Sequence, residues 1–264
     1  VVSGNDAAVA LGEHLAGSEE AFVERMNARA KELGMNDTHF LNCTGLPAEG
    51  HVTSAYDIAL MSRELILHHP DIRRFTTIWM DSLRGGESLL VNTNKLVRFY
   101  PGATGLKTGS TSSAKYCISA TAEKDGMELI AVVLGGSTSD KRFADAKALL
   151  NYGFAAYTLL PVVPESPLPA VPVTLGARRQ VQAVLPQGSV LLLEKNRANA
   201  LTQSLTLREA VEAPVEQGDT LGSLDLFAAD GTLLSSLPLL AGESVARLTW
   251  RQLFCRCASF ALCI

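Results

Sequence analysis

The sequence has no excess of positive charge: its 264 residues carry a formal net charge of −4. Nucleic-acid binding calls for a basic stripe, so that class is set aside. Metal ligands are also scarce. The five cysteines, at 43, 117, 255, 257 and 263, form no Cys-x-x-Cys pair and have no histidine at ligand spacing. A zinc site is therefore not expected. Their odd number gives no disulfide framework, and Cys255 and Cys257 would point apart on a helix. Internal repeats are missing. The first residue is Val1, with no charged n-region, apolar h-region or cleavage site after it. The motifs below favour a fragment of a longer chain over a processed one.

What the sequence does contain is core-forming material. Hydrophobic residues make up 47%, enough for one large domain and a small one, and too many for disorder. Asn5-Asp6 is positioned to cap a helix running to about Ala16. Ser18-Glu19-Glu20 opens a second, stopped by Gly34. Ser54-x-x-Asp57 has the form of a capping box at the head of a third, which Pro70 ends. The period then changes. Tyr116–Ala122 and Met127–Leu134 are short apolar runs around Asp125-Gly126, a strong hairpin signal. A further strand precedes them, and a helix with Phe143, Ala146, Leu149, Leu150 and Phe154 at helical spacing follows.

Five prolines between 161 and 172 predict a stiff linker. This divides the chain into a domain at 1–160 and a β-rich domain at 173–245, whose strands include Val190–Glu194, Thr202–Leu207 and Thr220–Phe227. The tail at 246–264 carries a helical stripe of Trp250, Leu253, Phe254, Cys257, Ala261 and Ile264. Arginines interrupt it, so it falls short of the roughly 20 apolar residues of a span and suits a membrane interface or a docking helix.

Two motifs carry chemistry. A serine enzyme that works without histidine needs an amine to move protons and donors for a developing oxyanion. Ser3-Gly4-Asn5, just ahead of a helix, can aim a hydroxyl and an amide into one cleft. Lys107-Thr108-Gly109 offers a cation, a hydroxyl and bare backbone along which an extended peptide can lie. Each alone reads as a cap or a solvated turn. Together, with Lys-Thr-Gly leading into a hairpin about a hundred residues after Ser-Gly-Asn, they match two parts of a known three-part set, Ser-x-x-Lys, Ser-Asp-Asn and Lys-Thr-Gly.

The surrounding text makes the likeness specific. Leu33-Gly34-Met35, Asp37-Thr38-His39-Phe40, Thr44-Gly45-Leu46, Ala55-Tyr56-Asp57-Ile58-Ala59, Tyr100-Pro101-Gly102, Thr104-Gly105-Leu106, Gly135-Gly136 and Arg142 all contribute. The chain resembles the low-molecular-mass penicillin-binding proteins, the D-alanyl-D-alanine carboxypeptidases of the penicillin-binding protein 5 type, over roughly residues 1–158. The resemblance implies an α+β transpeptidase-like domain of antiparallel sheet and helical lobe, without its N-terminal strands and nucleophile helix. A small all-β domain and an amphipathic anchor helix would follow. It also implies removal of the terminal D-alanine from peptidoglycan stem peptides through an acyl-enzyme, with no metal or organic cofactor. β-Lactams would be ligands, and the setting would be the outer face of a bacterial cytoplasmic membrane.

By the same resemblance, Ser3 relays a proton to the leaving amine, Asn5 holds the peptide and Lys107 supplies charge beside Ser3. Thr108 and Arg142 bind the terminal carboxylate. Gly109 lets the peptide approach, and the Ser110 N–H forms half of the oxyanion hole. One feature departs from the family: the Ser-x-x-Lys that supplies nucleophile and general base does not precede Ser3. The literal match Ser112-Ser113-Ala114-Lys115 is rejected, because Ser and Lys at i and i+3 share a face on a helix and not on a strand. The 264-residue polypeptide is therefore expected to be inactive by itself. Met127–Leu134 should lie at a sheet edge, beside an apolar groove between sheet and helical lobe. A class A type β-lactamase and a non-catalytic wall-binding pseudoenzyme are the alternatives.

Overall fold

The computed structural model describes residues 1–197 and 201–254. The chain divides into two compact units between Ala155 and Ala156.

The first unit opens with three helices, α1 (Asn5–Ala16), α2 (Glu19–Glu32) and α3 (Ala55–His68). Their starts are local chemistry. Ser18 accepts the Ala21 N–H at the head of α2, and Ser54 accepts the Asp57 N–H at the head of α3. Two caps differ from the sequence pattern. At α1 the cap is Gly4, not Asn5-Asp6, and Asn5 is already the first helical residue. At α3 the box stays half closed. The buried Asp57 carboxylate turns away and accepts the Asp37 N–H at 2.9 Å and the Thr38 hydroxyl at 2.6 Å. A loop that would otherwise be loose is thereby fixed to the helix.

A short helix α4 (Arg73–Thr76), the hairpin β1 (Met80–Leu83) and β2 (Ser88–Val91), and the single turn α5 (Leu96–Phe99) lead into the sheet. That sheet has three antiparallel strands in the order β3 (Ala103–Thr111), β4 (Lys115–Lys124), β5 (Met127–Gly136). Asp125 and Gly126 both take positive φ, 52° and 77°, the geometry a two-residue hairpin needs to follow the strand twist. Helix α6 (Ser139–Ala156) covers one face. Its Phe143, Ala146 and Leu150 pack on Ile118, Ala120, Ala122 and Ala131, with Leu96 and Tyr100 closing the cluster. Alternation sends Ser119 to the other face, where its hydroxyl lies 2.7 Å from that of Ser62 on α3. Each large side chain fully buried here stabilises by about 1.5–3 kcal/mol.

Strand β5 is the sheet edge and pairs only with β4 among the described residues. An apolar groove lies within the helical lobe. It measures about 560 Å³ and is lined by α2 residues such as Phe22, Met26 and Leu33, together with Phe40 and Met61; no sheet residue lines it. The Ser62–Ser119 contact joins α3 to the sheet.

The second unit is all β: β6 (Tyr157–Pro161), β7 (Ala170–Thr174), β8 (Gln180–Val184), β9 (Val190–Glu194), β10 (Thr202–Leu207), β11 (Val211–Glu212), β12 (Thr220–Phe227) and β13 (Leu233–Ala241). A six-stranded sheet runs β10-β12-β13-β8-β7-β11, and β6 pairs with β9. Val171, Val181, Leu221, Leu224, Leu239 and Val245 form the core. The proline-rich stretch is not a free linker. Pro161 ends β6, Pro172 sits in β7, and Val162 donates to the Ser189 carbonyl between them. Pro161 closes a strand, Pro164, Pro167 and Pro169 lie in the segment between β6 and β7, and Pro172 lies within β7, opposite Gln180.

The tail also differs from expectation. Ala246 and Leu248 bond to the 175–177 segment as extended chain, so the helix starts at 250 and not at 246. Thr249 and Gln252 close a full capping box, Thr249 N–H to Gln252 Oε1 at 2.9 Å and Gln252 N–H to Thr249 Oγ1 at 3.4 Å. Trp250 and Phe254 are exposed, at 85% and 71%. Cys257, Ala261 and Ile264 lie outside the described residues. Among the described residues no helix is long and apolar enough to cross a membrane.

Candidate active site

Strand β3 carries Lys107, Thr108 and Gly109 opposite Ser119, Ile118 and Cys117 of β4. Its other edge has no strand partner among the described residues, so an extended peptide could add there. Gly109 faces open space: a β-carbon built on it meets nothing within 4 Å. Four residues earlier on the same strand, Gly105 is different. It has φ +147°, and an added β-carbon would lie 2.7 Å from Thr76 Cβ. The first glycine leaves room for something outside the chain, and the second makes room for the chain itself.

Arg142 comes from the first turns of α6 and is only 5% exposed. It reaches β3 and β4 because Gly136 lacks a side chain; a β-carbon there would sit 3.0 Å from the Tyr116 carbonyl oxygen and 3.3 Å from Arg142 Cβ. The guanidinium donates from Nη1 to the Gly109 carbonyl at 3.1 Å and the Cys117 carbonyl at 3.0 Å. It lies 4.6 Å from the Phe143 ring centre and 5.7 Å from that of Tyr116. Its Nε is buried without a partner. Burial pulls its pKa down, yet a guanidinium stays charged. Arg142 is thus a latch beneath the Lys-Thr-Gly strand as well as a buried cation.

Lys107 donates its ammonium to the Thr108 carbonyl. Lys107 keeps an exposed surface, yet the protein packed around it lowers its pKa first, and the charge of Arg142 lowers it further. Neither cation has a carboxylate partner among the described residues. Two positive groups in each other's field, without an internal anion, favour the approach of an external one.

Thr108 is 7% exposed, and its hydroxyl lies 2.6 Å from the hydroxyl of Thr93. Thr93 is a site residue that the motif search missed. It stands between two buried asparagines. Asn92 Nδ2 donates to the Ile78 carbonyl at 2.7 Å and Asn92 Oδ1 accepts from Asn94 N–H at 2.8 Å. Asn94 Nδ2 donates to the Gly105 carbonyl at 3.0 Å and Asn94 Oδ1 accepts from Leu96 N–H at 3.1 Å. The Thr93 N–H also donates to the Val1 carbonyl at 3.2 Å. The two sequence motifs are therefore joined through Thr93: the backbone two residues before Ser3 on one side, Thr108 on the other.

Ser3 and Asn5 are exposed, with no hydrogen bond from either side chain among the described residues. Ser110 is exposed near the end of β3, opposite Tyr116. Ser112, Ser113 and Ala114 form the turn between β3 and β4, and Lys115 begins β4 with φ 55°. That geometry agrees with rejecting this quartet as a nucleophile motif.

The sequence profile of the D-alanyl-D-alanine carboxypeptidase family matches residues 1–138, and that of the penicillin-binding protein 5 C-terminal domain matches residues 162–247. The chain is 40% identical over 252 residues to D-alanyl-D-alanine carboxypeptidase DacF of Bacillus subtilis, covering 94% of this chain and 64% of DacF. It is similar in structure to penicillin-binding protein 5 from Haemophilus influenzae, with TM-score 0.76 and 28% identity, covering 94% of this chain and 72% of that one. Penicillin-binding protein D2 from Listeria monocytogenes in its cefotaxime-bound form aligns with TM-score 0.53 and 39% identity, covering 58% of this chain and 62% of that one. The chain thus spans less than two thirds of the length of DacF.

Proposed function

The chain belongs to the D-alanyl-D-alanine carboxypeptidase family, and on that premise we propose that it holds the substrate-binding part of a serine-type enzyme. That enzyme removes the terminal D-alanine of peptidoglycan stem peptides through an acyl-enzyme. The observation that carries this reading is the edge strand with Lys107, Thr108 and open Gly109, backed by Arg142 and lacking an internal counter-anion.

On this reading the peptide lies along β3 with its terminal carboxylate toward the Thr108 hydroxyl and the positive field of Lys107 and Arg142. Arginine already bonded to two carbonyls can still contribute charge. Asn5 holds the peptide backbone, and the Ser110 N–H serves as an oxyanion donor. Ser3 passes a proton to the amine of the departing D-alanine. The attacking serine and its lysine base would come from a Ser-x-x-Lys motif, which these 264 residues do not place ahead of Ser3. The polypeptide of these residues alone would therefore bind without acylation. β-Lactams, carried by a relative in its cefotaxime-bound form, would occupy the same groove. The match of residues 162–247 weighs against a β-lactamase.

The setting proposed is the extracytoplasmic face of a bacterial membrane. Exposed Trp250 and Phe254 support an interfacial tail. The test of function is direct: ligand-observed NMR with a peptide ending in D-Ala-D-Ala and one ending in L-Ala-L-Ala. Binding of the D-peptide alone is expected, and equal or no binding of the two would sink the reading.

A further inference from the structure

Thr93 belongs to neither motif, yet its hydroxyl is the one that meets Thr108. We infer that Thr93 is a positioning residue that directs the Thr108 hydroxyl proton toward the substrate carboxylate. This rests on the carboxypeptidase reading above.

The argument begins with proton counting. Each threonine hydroxyl has one proton to donate and two lone pairs to accept with. At 2.6 Å one of the two donates to the other. If Thr108 donated to Thr93, it would have no proton left for a ligand. An arriving carboxylate reverses that choice, because a charge-assisted hydrogen bond is roughly twice as strong as a neutral one. Thr108 then points its proton at the anion, and Thr93 donates into the Thr108 oxygen. A chain of two donors ending on a charge strengthens both links. Without Thr93, the nearly buried Thr108 oxygen would lose its donor in the bound state, and its rotor would be free in the unbound one.

The surroundings suit a fixed pointer. Asn92 and Asn94 tie the backbone on both sides of Thr93 to Ile78 and Gly105, and the Gly105 tie is on β3 itself. The two hydroxyls are thus held in register by the same strand that carries Thr108. Thr93 is exposed, so its hydroxyl can be removed without opening a core cavity. Its N–H, which holds the Val1 carbonyl, is untouched by a side-chain change.

The test compares peptides ending in D-Ala-D-Ala with a free carboxylate or a C-terminal amide, titrated into the 264-residue chain. Thr93→Val keeps the β-branch and loses the hydroxyl; Thr93→Ala is the second hydroxyl-free variant should the first fold poorly. Expected is about a tenfold loss of affinity for the acid, no change for the amide, and recovery of the acid preference in Thr93→Ser. An unchanged acid preference in Thr93→Val or Thr93→Ala would overturn the inference. So would equal weakening of acid and amide, which would make Thr93 only structural. If the unaltered chain binds neither peptide, the carboxypeptidase reading itself fails and the inference falls with it.

Discussion

Lys107 holds its ammonium in the field of the Arg142 guanidinium, like charge against like charge, with no carboxylate partner for either among the described residues. Burial is the larger cause of the lowered Lys107 pKa and Arg142 the smaller. Arg142→Gln should therefore raise the Lys107 pKa part of the way toward the ordinary lysine value of about 10.4, and no further. The sign for stability follows. A lysine depressed in the fold binds fewer protons folded than unfolded between its lowered pKa and the ordinary value, so stability rises with pH across that alkaline window. Carboxylate binding runs the other way and falls as Lys107 loses its proton. NMR titration of the lysine side chains checks the first claim; an unmoved Lys107 in Arg142→Gln would defeat it.

Gly105 and Gly109 lie on one strand and should respond oppositely to alanine. Gly105→Ala drives a β-carbon into Thr76 at a φ that L-residues avoid, and a loss of about 1–3 kcal/mol is expected. Gly109→Ala meets nothing, and its stability should stay within about 1 kcal/mol of the parent, while binding of the D-Ala-D-Ala peptide is lost. Denaturant melts and peptide titrations on both variants separate the two roles. A stable Gly105→Ala, or a Gly109→Ala that still binds, would contradict the assignment.

His51 gives the fold a sensitivity to acid. Its Nδ1 is buried without a partner, its ring meets Phe40 edge-on at 6.0 Å, and its pKa is lowered first by burial and then by His39. A histidine depressed in the fold favours the neutral ring, so stability is complete above the ordinary value of about 6.5 and declines as pH falls below it. His51→Phe should flatten the thermal-melt profile between neutral and mildly acidic pH. An unchanged slope would assign the sensitivity to other groups.

Fluorescent penicillin should form no covalent adduct with the 264-residue polypeptide. Ser3 and Ser112 are both exposed, but neither has a lysine amine hydrogen-bonded to it among the described residues. Label surviving denaturation, traced by peptide mapping to either serine, would refute this.

The elements easiest to see in the sequence are those whose signals are local. Ser18 and Ser54 cap the helices they precede, and Asp125-Gly126 turns the hairpin, because all three depend on neighbours within a few residues. The lengths of β9, β10 and β12 were likewise readable from their apolar runs and turns. Lys107, Thr108 and Gly109 were visible as a motif and share one strand. Thr93 was not visible. No motif marks Asn92-Thr93-Asn94, whose bonds to Ile78, Gly105 and Thr108 reach 11 to 15 residues away. Arg142 was visible as a charge, but its contacts with two backbone carbonyls depend on a small residue at 136, six positions earlier. The prolines at 161 and 172 misled because proline rigidity suits both a linker and a strand end, and only the pairing partner distinguishes them.

The box closed by Thr249 and Gln252 bears on how the helix at 250–254 begins. Nucleation is the expensive step of helix formation, because several dihedral angles must be fixed before the first internal hydrogen bond returns anything. Here two side chains of the chain itself supply that nucleus, directly after residues already tied to the 175–177 segment. On the interfacial reading proposed above, a lipid surface meeting Trp250 and Phe254 would therefore encounter a turn already wound. The association would be correspondingly less burdened by loss of chain entropy, because the first turn is set before contact.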